Sequence, residues 1–239
     1  MCRAALALIF SLLTLPVEAM QISPMGVEML AMGQNARGQV VIANNSAVPL
    51  PVEMVYERLT YDESGKRLTS KANDELLILP PTAMIPPGSS QTFRLQWVGN
   101  PDLAESASFM VYAKQLPVRP AGEARKTQIQ IVSAFGVIVN VAPAQGKAAL
   151  KLVSWKPVKD VKGQPAVAVV VENPTNVHAL MSKSQLRIGG LSLGPDAMLQ
   201  RVGFGVVGPR KRRSFVISLD GVSGAPSGNG SINYLGDNR

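Results

Sequence analysis

The chain has little of the chemistry that most enzyme active sites require. It contains one histidine, His178, and one cysteine, Cys2, among 239 residues. A metal site built from several histidines is therefore excluded. We also predict no Gly-x-Ser-x-Gly nucleophile elbow, no phosphate-binding glycine loop and no His-Glu-x-x-His motif. The sequence thus indicates a protein that is not an enzyme and that needs no metal or cofactor.

Long apolar runs are also scarce, and the one that stands out lies at the N-terminus. Arg3 precedes an apolar stretch from Ala4 to Leu15, and Val17-Glu18-Ala19 resembles a signal cleavage site. We predict that residues 1–19 are a secretory signal peptide. Its removal takes away Cys2, so a cysteine nucleophile and disulfides are both excluded from the mature chain. No later stretch approaches the ~20 apolar residues of a membrane span, so we expect a soluble, exported protein.

Acidic residues are in the minority, 16 against 24 lysines and arginines, which gives a formal net charge of +8. A basic exported protein suits acidic partners, but the basic residues are dispersed, so we predict no nucleic-acid partner. The exception is Arg210-Lys211-Arg212-Arg213, which follows Gly208-Pro209. We interpret this cluster as a solvated turn.

What the chain does have is a series of short strands separated by proline and glycine turns. No convincing helical periodicity accompanies them, and this pattern is typical of antiparallel sandwiches. In the first half we predict strands at Val40–Asn45, Val52–Leu59, Leu76–Leu79, Met84–Ile85, Thr92–Trp97 and Phe109–Leu116. In the second half we predict strands at Leu150–Trp155, Ala166–Val171, Ala179–Ile188, Ser214–Leu219 and Ser231–Leu235. We place one domain at 20–144 and a smaller one at 145–239.

The segment from Thr127 to Ala142 is predicted to be one unbroken strand, about three times the usual length of ~5–6 residues. Its apolar face includes Ile129, Ile131 and Phe135, and it continues through alternate valines up to residue 141. A strand this long extends beyond one small sandwich, so we expect part of it to lie along an open edge. Such an edge can accept a strand from another chain.

Three further residues are predicted to have ordinary structural roles. His178 follows the turn at Asn173-Pro174 and is typical of a turn or surface residue rather than a catalytic one. Trp97 and Trp155 lie in predicted strands, where core packing is favoured over a sugar-binding face.

Four segments resemble the periplasmic chaperones of the chaperone-usher pilus pathway, the PapD-like family. They are Val41-Ile42-Ala43-Asn44, the run from Ile85-Pro86-Pro87-Gly88 to Leu95, the run from Phe109 to Pro117, and Val171-Glu172-Asn173-Pro174-Thr175. Their order along the chain, together with the signal peptide, carries the resemblance. The resemblance implies an all-β protein of two immunoglobulin-like sandwich domains set at an angle.

The resemblance also implies a function and a site. The long strand would be lent to a pilus subunit, with Ile129, Ile131, Ser133 and Phe135 binding it, and an outer-membrane usher would then receive the subunit. Phe135, Val137 and Val139 would continue toward the domain's own core. The alternative interpretation is that all these residues are ordinary core residues.

The chain departs from the family where a carboxylate of the subunit would be anchored. The positions that hold an arginine and a lysine in well-studied members are Glu28 and Ile138 here. Neither can donate a charged hydrogen bond, so the anchor is absent, moved or replaced by backbone amides. Arg37, Arg125 and Lys126 are candidate substitutes, and the sequence does not choose among them.

A second departure concerns the contact between the domains. The family's Glu-Arg-Asp cluster is matched here by Ser106, Ala142 and roughly Tyr234. The orientation of the domains must therefore rest on other residues. These differences indicate a divergent branch similar to the archaic chaperones, and the segment from Val118 to Lys126 resembles their short loop.

We therefore predict a periplasmic chaperone for pilus subunits. The alternative is a structural or adhesive envelope protein assembled into a fibre, and a sugar-binding module or carbohydrate enzyme is a weaker third. The sequence does not identify the subunit, the usher or the pilus. It also leaves open whether the free protein pairs with a second copy.

Overall fold

The computed structural model describes residues 20–117 and 134–236. The strands of the first half are β1 Met20–Ser23, β2 Gly26–Leu30, β3 Arg37–Asn44, β4 Leu50–Tyr61, β5 Arg67–Ser70, β6 Leu76–Leu79, β7 Thr82–Ile85, β8 Ser90–Trp97, β9 Ala107–Gln115 and β10 Ala134–Ala142. Those of the second half are β11 Lys151–Lys159, β12 Pro165–Glu172, β13 Ala179–Leu180, β14 Ser184–Ile188, β15 Leu191–Leu193, β16 Val206–Val207, β17 Arg212–Ser218 and β18 Gly230–Tyr234. An α-helix, α1, spans Pro195–Val202, and 3-10 turns span Gln34–Ala36 and Met181–Lys183.

The first half folds into two facing sheets. One sheet has the order β1-β3-β8-β6, and the other has the order β2-β10-β9-β4-β5, with β7 also paired to β4. β2 pairs with β10 in parallel, whereas β10 pairs with β9 in antiparallel fashion. The segment that contains β1 and β2 therefore starts in one sheet and crosses to the other. It lies beside β3 in the first sheet and beside β10 in the second.

The core between these sheets is built from alternate residues of the strands. Phe93 and Phe109 are fully buried from opposite sheets, and the rings of Trp97 and Tyr56 lie 6.0 and 5.9 Å from that of Phe109. Burying an aliphatic or phenylalanine side chain stabilises a fold by about 1.5–3 kcal/mol. This cluster gives the first half its own hydrophobic core.

The second half has a separate core. Its sheets have the orders β11-β12-β17, β15-β14-β18 and β13-β16. Val167, Val169 and Val171 of β12 face Leu186 and Ile188 of β14 in a distinct buried cluster. The protein is thus all-β with two immunoglobulin-like sandwich domains, as predicted. A division near residue 145 would produce these two clusters, but that boundary remains a prediction.

The second half departs from its predicted strands in two places. The segment Ala179–Ile188 is interrupted by the 3-10 turn at Met181–Lys183, so it forms two strands in different sheets. The helix α1 was not predicted, although Pro195 at its start and Gly203 after its end, at φ 63°, are typical boundary residues. The helix is too short for its periodicity to be recognised. Along the described ranges, no helix is long and apolar enough to cross a membrane.

Candidate functional site

The strand β10 is paired unequally along its two sides. On one side β9 pairs with it from Ala134 to Val141. On the other side β2 pairs with it only from Ile138 onward. Among the described residues, no strand pairs with Ala134–Val137 on that second side. Within residues 20–117 and 134–236, the N-terminal part of β10 thus has one unpaired backbone edge, which we call the open edge.

An apolar cleft of about 390 Å³ adjoins this edge. It lies between β1 and β10, and its walls are Met20, Gln21, Ile22, Ser23, Met25, Val41, Ala43 and Phe135. The Met25 side chain is 46% exposed, although it is apolar. β1 is itself the edge strand of its sheet. The cleft is thus bordered by backbone edges from both sheets of the first domain.

Phe135 is the one predicted subunit-binding residue that the structure describes. Its side chain is half-buried: it packs against the core of the first domain and also lines the cleft. Ile129, Ile131 and Ser133 lie outside the described residues, as do Arg125, Lys126 and the rest of the predicted strand before Ala134. Their roles remain predictions.

Beyond Phe135, the predicted apolar face turns fully inward. Val137, Val139 and Val141 are all 0% exposed and belong to the core of the first domain. This part of the strand therefore has the ordinary core role that the sequence allowed. The change from half-buried Phe135 to buried Val137 coincides with the approach of β2.

Arg37, a candidate anchor for a carboxylate, lies away from this strand. It begins β3, in the sheet that does not contain β10, and its side chain is exposed. The cleft around Ile138 is lined by residues of β2, β10 and the second domain, and Arg37 is not one of them. Its role as an anchor remains a prediction.

Glu28 connects β2 to its neighbours through both carboxylate oxygens. Asn140 Nδ2 donates to Glu28 Oε1 at 2.8 Å, and Asn140 Oδ1 accepts from Ser108 Oγ at 2.6 Å. The other oxygen, Oε2, lies 2.7 Å from Nε2 of His178. This network joins three adjacent strands of the first domain to the second domain. A residue at a position associated with ligand anchoring thus has a structural role here.

His178 does follow the turn at Asn173-Pro174, outside any strand, but the prediction of a surface position is wrong. Its side chain is only 3% exposed and is buried between the domains, where it contacts Glu28. Its backbone N–H donates to Ser106 Oγ at 3.0 Å, and the Ser106 N–H donates to Asn176 O at 2.9 Å. Ser106, at a position of the missing Glu-Arg-Asp cluster, therefore contributes to a different interdomain contact.

The basic cluster adds further contacts between the domains. Arg210 Nε lies 2.7 Å from Glu105 Oε1, and both side chains are exposed. Arg213 stacks on Tyr61, with its guanidinium carbon 3.7 Å from the ring centroid. Burial lowers the pKa of the Arg213 guanidinium. The interpretation of the cluster as a solvated turn is thus correct for exposed Lys211 and wrong for half-buried Arg213.

The two domains also pack closely at Gly26, which begins β2. A Cβ atom at Gly26 would lie 2.7 Å from Cζ of Phe204, which belongs to the second domain. A side chain at this position would therefore displace the Phe204 ring. Beside this contact lies a cleft of about 270 Å³, whose walls include Ile138, Lys183 and Asp196.

Sequence reasoning missed one motif that is associated with hydrolases. The residues Gly190–Gly194 do match Gly-x-Ser-x-Gly. Ser192, however, lies in the middle of β15 opposite Arg187, rather than on the sharp strand-to-helix turn that exposes a nucleophile. The chain's one histidine, His178, contacts Glu28 at the domain interface. The motif is therefore part of a hairpin.

Across residues 20–117 and 134–236, no group of three His, Cys, Asp or Glu side chains is placed to hold a metal ion.

The fold defines a class: all-β proteins with two immunoglobulin-like domains. The family described as "Pili and flagellar-assembly chaperone, PapD N-terminal domain" has a model that matches residues 20–146. The chain belongs to this family, and the predicted resemblance to chaperones of the chaperone-usher pathway is confirmed. No curated protein sequence matches the chain.

Solved structures of pilus chaperones share the fold at low sequence identity. A chain of the CsuC–CsuE chaperone–tip adhesion subunit pre-assembly complex from archaic Csu pili of Acinetobacter baumannii is 17% identical, with a TM-score of 0.51, covering 84% of this chain and 88% of that one. The class 5 fimbriae chaperone CfaA is 12% identical, with a TM-score of 0.53, covering 91% and 99%. A chain of the Salmonella enterica SafA pilin–SafB chaperone complex is 13% identical, with a TM-score of 0.52, covering 92% and 97%.

Proposed function

We propose that this protein is a periplasmic chaperone that binds pilus subunits by lending them a strand and delivers them to an outer-membrane usher. The observation that carries the proposal is the open side of β10 at Ala134–Val137. Family membership supports the general role in pilus assembly. The solved complexes with a tip adhesion subunit and with a pilin support pilus subunits as the partner class.

Backbone pairing at the open edge would supply part of the affinity. Each new main-chain hydrogen bond contributes a net ~0.5–1.5 kcal/mol, and it does so with little dependence on the subunit's side chains. A chaperone that serves several related subunits needs this kind of contact. The parallel strand β2 occupies the same side from Ile138 onward, so a lent strand would end there.

Side chains on alternate residues would supply the rest. Phe135 lines the apolar cleft beside the edge, and the sequence pattern predicts that Ile129 and Ile131 lie on the same face of the strand. Each isoleucine buried in a subunit groove would contribute ~1.5–3 kcal/mol. Ser133 continues the same alternation in the sequence and is included in the proposed binding face.

The remaining parts of the proposal rest on the sequence. The signal-like residues 1–19 support export to the periplasm. Arg37, Arg125 and Lys126 stay candidates for holding a terminal carboxylate, because Glu28 pairs with His178 and Ile138 carries no charge. No enzymatic activity forms part of this function.

Co-expression of the protein with a pilus subunit from the same genome tests the proposal. A stable one-to-one complex should co-purify from the periplasm. The double variant Ile129→Asp, Ile131→Asp should abolish it, because apolar contact is lost and two charges would have to be buried.

The sequence pattern predicts a matched control on the opposite face of the same strand. Gln128→Asp with Gln130→Asp introduces the same charges two residues apart and should leave the complex largely intact. Equal loss with both pairs would point to a general charge effect, and an unaffected complex with the isoleucine pair would refute strand donation. Polymers of the purified protein alone would favour the alternative of a fibre-forming envelope protein.

A further inference from the structure

The outer face of the sheet that lacks β10 carries an ordered set of exposed side chains. In the register of β3, β8 and β6, one row is Arg37, Gln96 and Leu77. The next row is Gln39, Arg94 and Leu79. All six side chains are exposed. We refer to these six residues as the arginine–leucine face.

Its apolar part lies at a sheet edge. β6 ends the strand order β1-β3-β8-β6, and its Leu77 and Leu79 are 40% and 50% exposed. Between these leucines and the arginines is an open hollow of about 480 Å³. Two exposed leucines side by side at an edge form a small apolar surface, whereas single exposed leucines are common.

The arginines of this face differ from several others in the part of the chain that the structure describes. Arg58, Arg210 and Arg212 each pair with a carboxylate of the chain at 2.7–2.9 Å. Among the described residues, Arg37 and Arg94 have no such carboxylate partner. Because they are diagonal neighbours on adjacent strands, their Cα atoms lie roughly 7–8 Å apart. Two carboxylates on one extended segment could reach both.

We propose that the arginine–leucine face binds an extended, acidic segment of a partner protein. Its carboxylates would pair with Arg37 and Arg94, and its apolar side chains would lie on Leu77 and Leu79. Charge complementarity identifies this occupant: an acidic segment would neutralise two guanidinium groups that pair with no carboxylate of the described residues. A second copy of this protein would instead bring four arginines together.

The location of the face would allow two partners at once. β1 and β6 are opposite edges of the same sheet, and β10 belongs to the other sheet. A subunit held at β10 and β1 would therefore leave β6 accessible. The proposed site does not depend on strand donation, and it would exist even if the subunit bound elsewhere.

Titration with a defined peptide tests this proposal. The probe is an acetylated, amidated peptide of sequence Ser-Leu-Ser-Glu-Ser-Glu-Ser-Leu-Ser, in which alternation puts both glutamates and both leucines on one side of an extended chain. Its binding is followed by NMR of the mature protein. We expect saturable shifts at the amides of Leu77, Leu79, Arg94 and Gln96, with affinity that falls as salt increases. The same peptide with lysine in place of glutamate should bind at least tenfold more weakly.

Two variants localise the binding. Arg37→Glu with Arg94→Glu should weaken it at least tenfold, whereas Lys151→Glu with Lys159→Glu, exposed on β11 of the second domain, should change it less than twofold. Leu77→Ser with Leu79→Ser should also weaken it. Failure of the glutamate peptide to bind, or equal loss with both charge reversals, would overturn the proposal. So would binding of phosphatidylglycerol vesicles or a second copy through this face without peptide binding.

Discussion

The two domains contain the same asparagine turn in different surroundings. In the first domain, Asn44 Nδ2 donates to Val48 O and to Ile85 O. In the second domain, Asn173 Nδ2 donates to Val177 O and to Val207 O. In both turns a hydroxyl two residues on, that of Ser46 or of Thr175, donates to the asparagine Oδ1.

The surroundings separate the two turns. Val48 is 64% exposed, whereas the equivalent Val177 is only 6% exposed. The first domain covers the second turn. Asn176 Nδ2 donates to Ala104 O of the first domain, and His178, the residue after Val177, contacts Glu28. The same asparagine hydrogen-bond pattern thus closes an exposed loop in the first domain and an interdomain contact in the second.

Replacing the asparagines should separate these two roles, and it has the largest expected effect on stability. Asn44→Ala should destabilise the first domain by about 1–3 kcal/mol, because the buried carbonyl of Ile85 loses its donor. Asn173→Ala should destabilise by more, since its turn also holds the first domain. The measurement is urea unfolding followed by tryptophan fluorescence.

Each domain supplies its own reporter for this experiment, Trp97 in β8 and Trp155 in β11. In Trp97→Phe and Trp155→Phe backgrounds, Asn44→Ala should shift mainly the Trp97 transition. Asn173→Ala should shift both transitions. If the two variants shifted the same single transition, the proposed difference between the turns would be wrong.

Glu28 should have the next largest effect. Glu28→Ala removes the acceptor for Asn140 and the partner of buried His178, so we expect a loss of about 1–3 kcal/mol and a wider separation of the two tryptophan transitions. The control is Glu172→Ala, which breaks an exposed pair with Arg212. Exposed pairs contribute only ~0.2–1 kcal/mol, so an equal loss in both variants would contradict a special role for Glu28.

A second repeated turn predicts the smallest effect. Asp62 Oδ1 accepts from Ser64 Oγ and from Lys66 N, while Asp160 Oδ1 accepts from the backbone N–H groups of Lys162 and Gln164. These hydrogen bonds lower the pKa of both carboxyl groups from their ordinary value of 3.8. The largest cause is the Ser64 hydroxyl for Asp62 and the Gln164 N–H for Asp160.

Because both pKa values fall on folding, each ionised group favours the folded state above pH ~3.8, and this contribution is lost as the pH falls through the lower folded pKa. NMR titration of Ser64→Ala should show the Asp62 pKa returning toward 3.8, with that of Asp160 unchanged. An unchanged Asp62 value would show that the hydroxyl is not the main cause.

Local patterns were enough to predict much of the fold. Alternation and turn residues gave β6 its observed bounds, Leu76–Leu79, and placed β8 and β9 within two residues at each end. The β1 and β2 strands were not predicted, because each is short and the chain changes sheets between them. The inward face of β10 was predicted correctly up to residue 141, since burial there follows a period of two.

The contact between the domains could not be predicted in the same way. Glu28 and His178 are 150 positions apart, and nothing beside either residue indicates that they meet. Arg213 looked like part of a charged turn because its burial depends on Tyr61 of the other domain. The unusual length of the predicted strand suggested an open edge. The point where that edge ends depends on β2, which pairs with β10 from Ile138 onward and was not predicted.

Hydrogen exchange in the free and subunit-bound protein tests the central claim most directly. If β10 is lent to a subunit, amides in the segment Ala134–Val137 that face away from β9 should exchange quickly when free and at least tenfold more slowly in the complex. Amides from Ile138 to Ala142 should already be protected in the free protein, because β2 pairs with them. A stable complex in which exchange at Ala134–Val137 does not change would contradict strand donation.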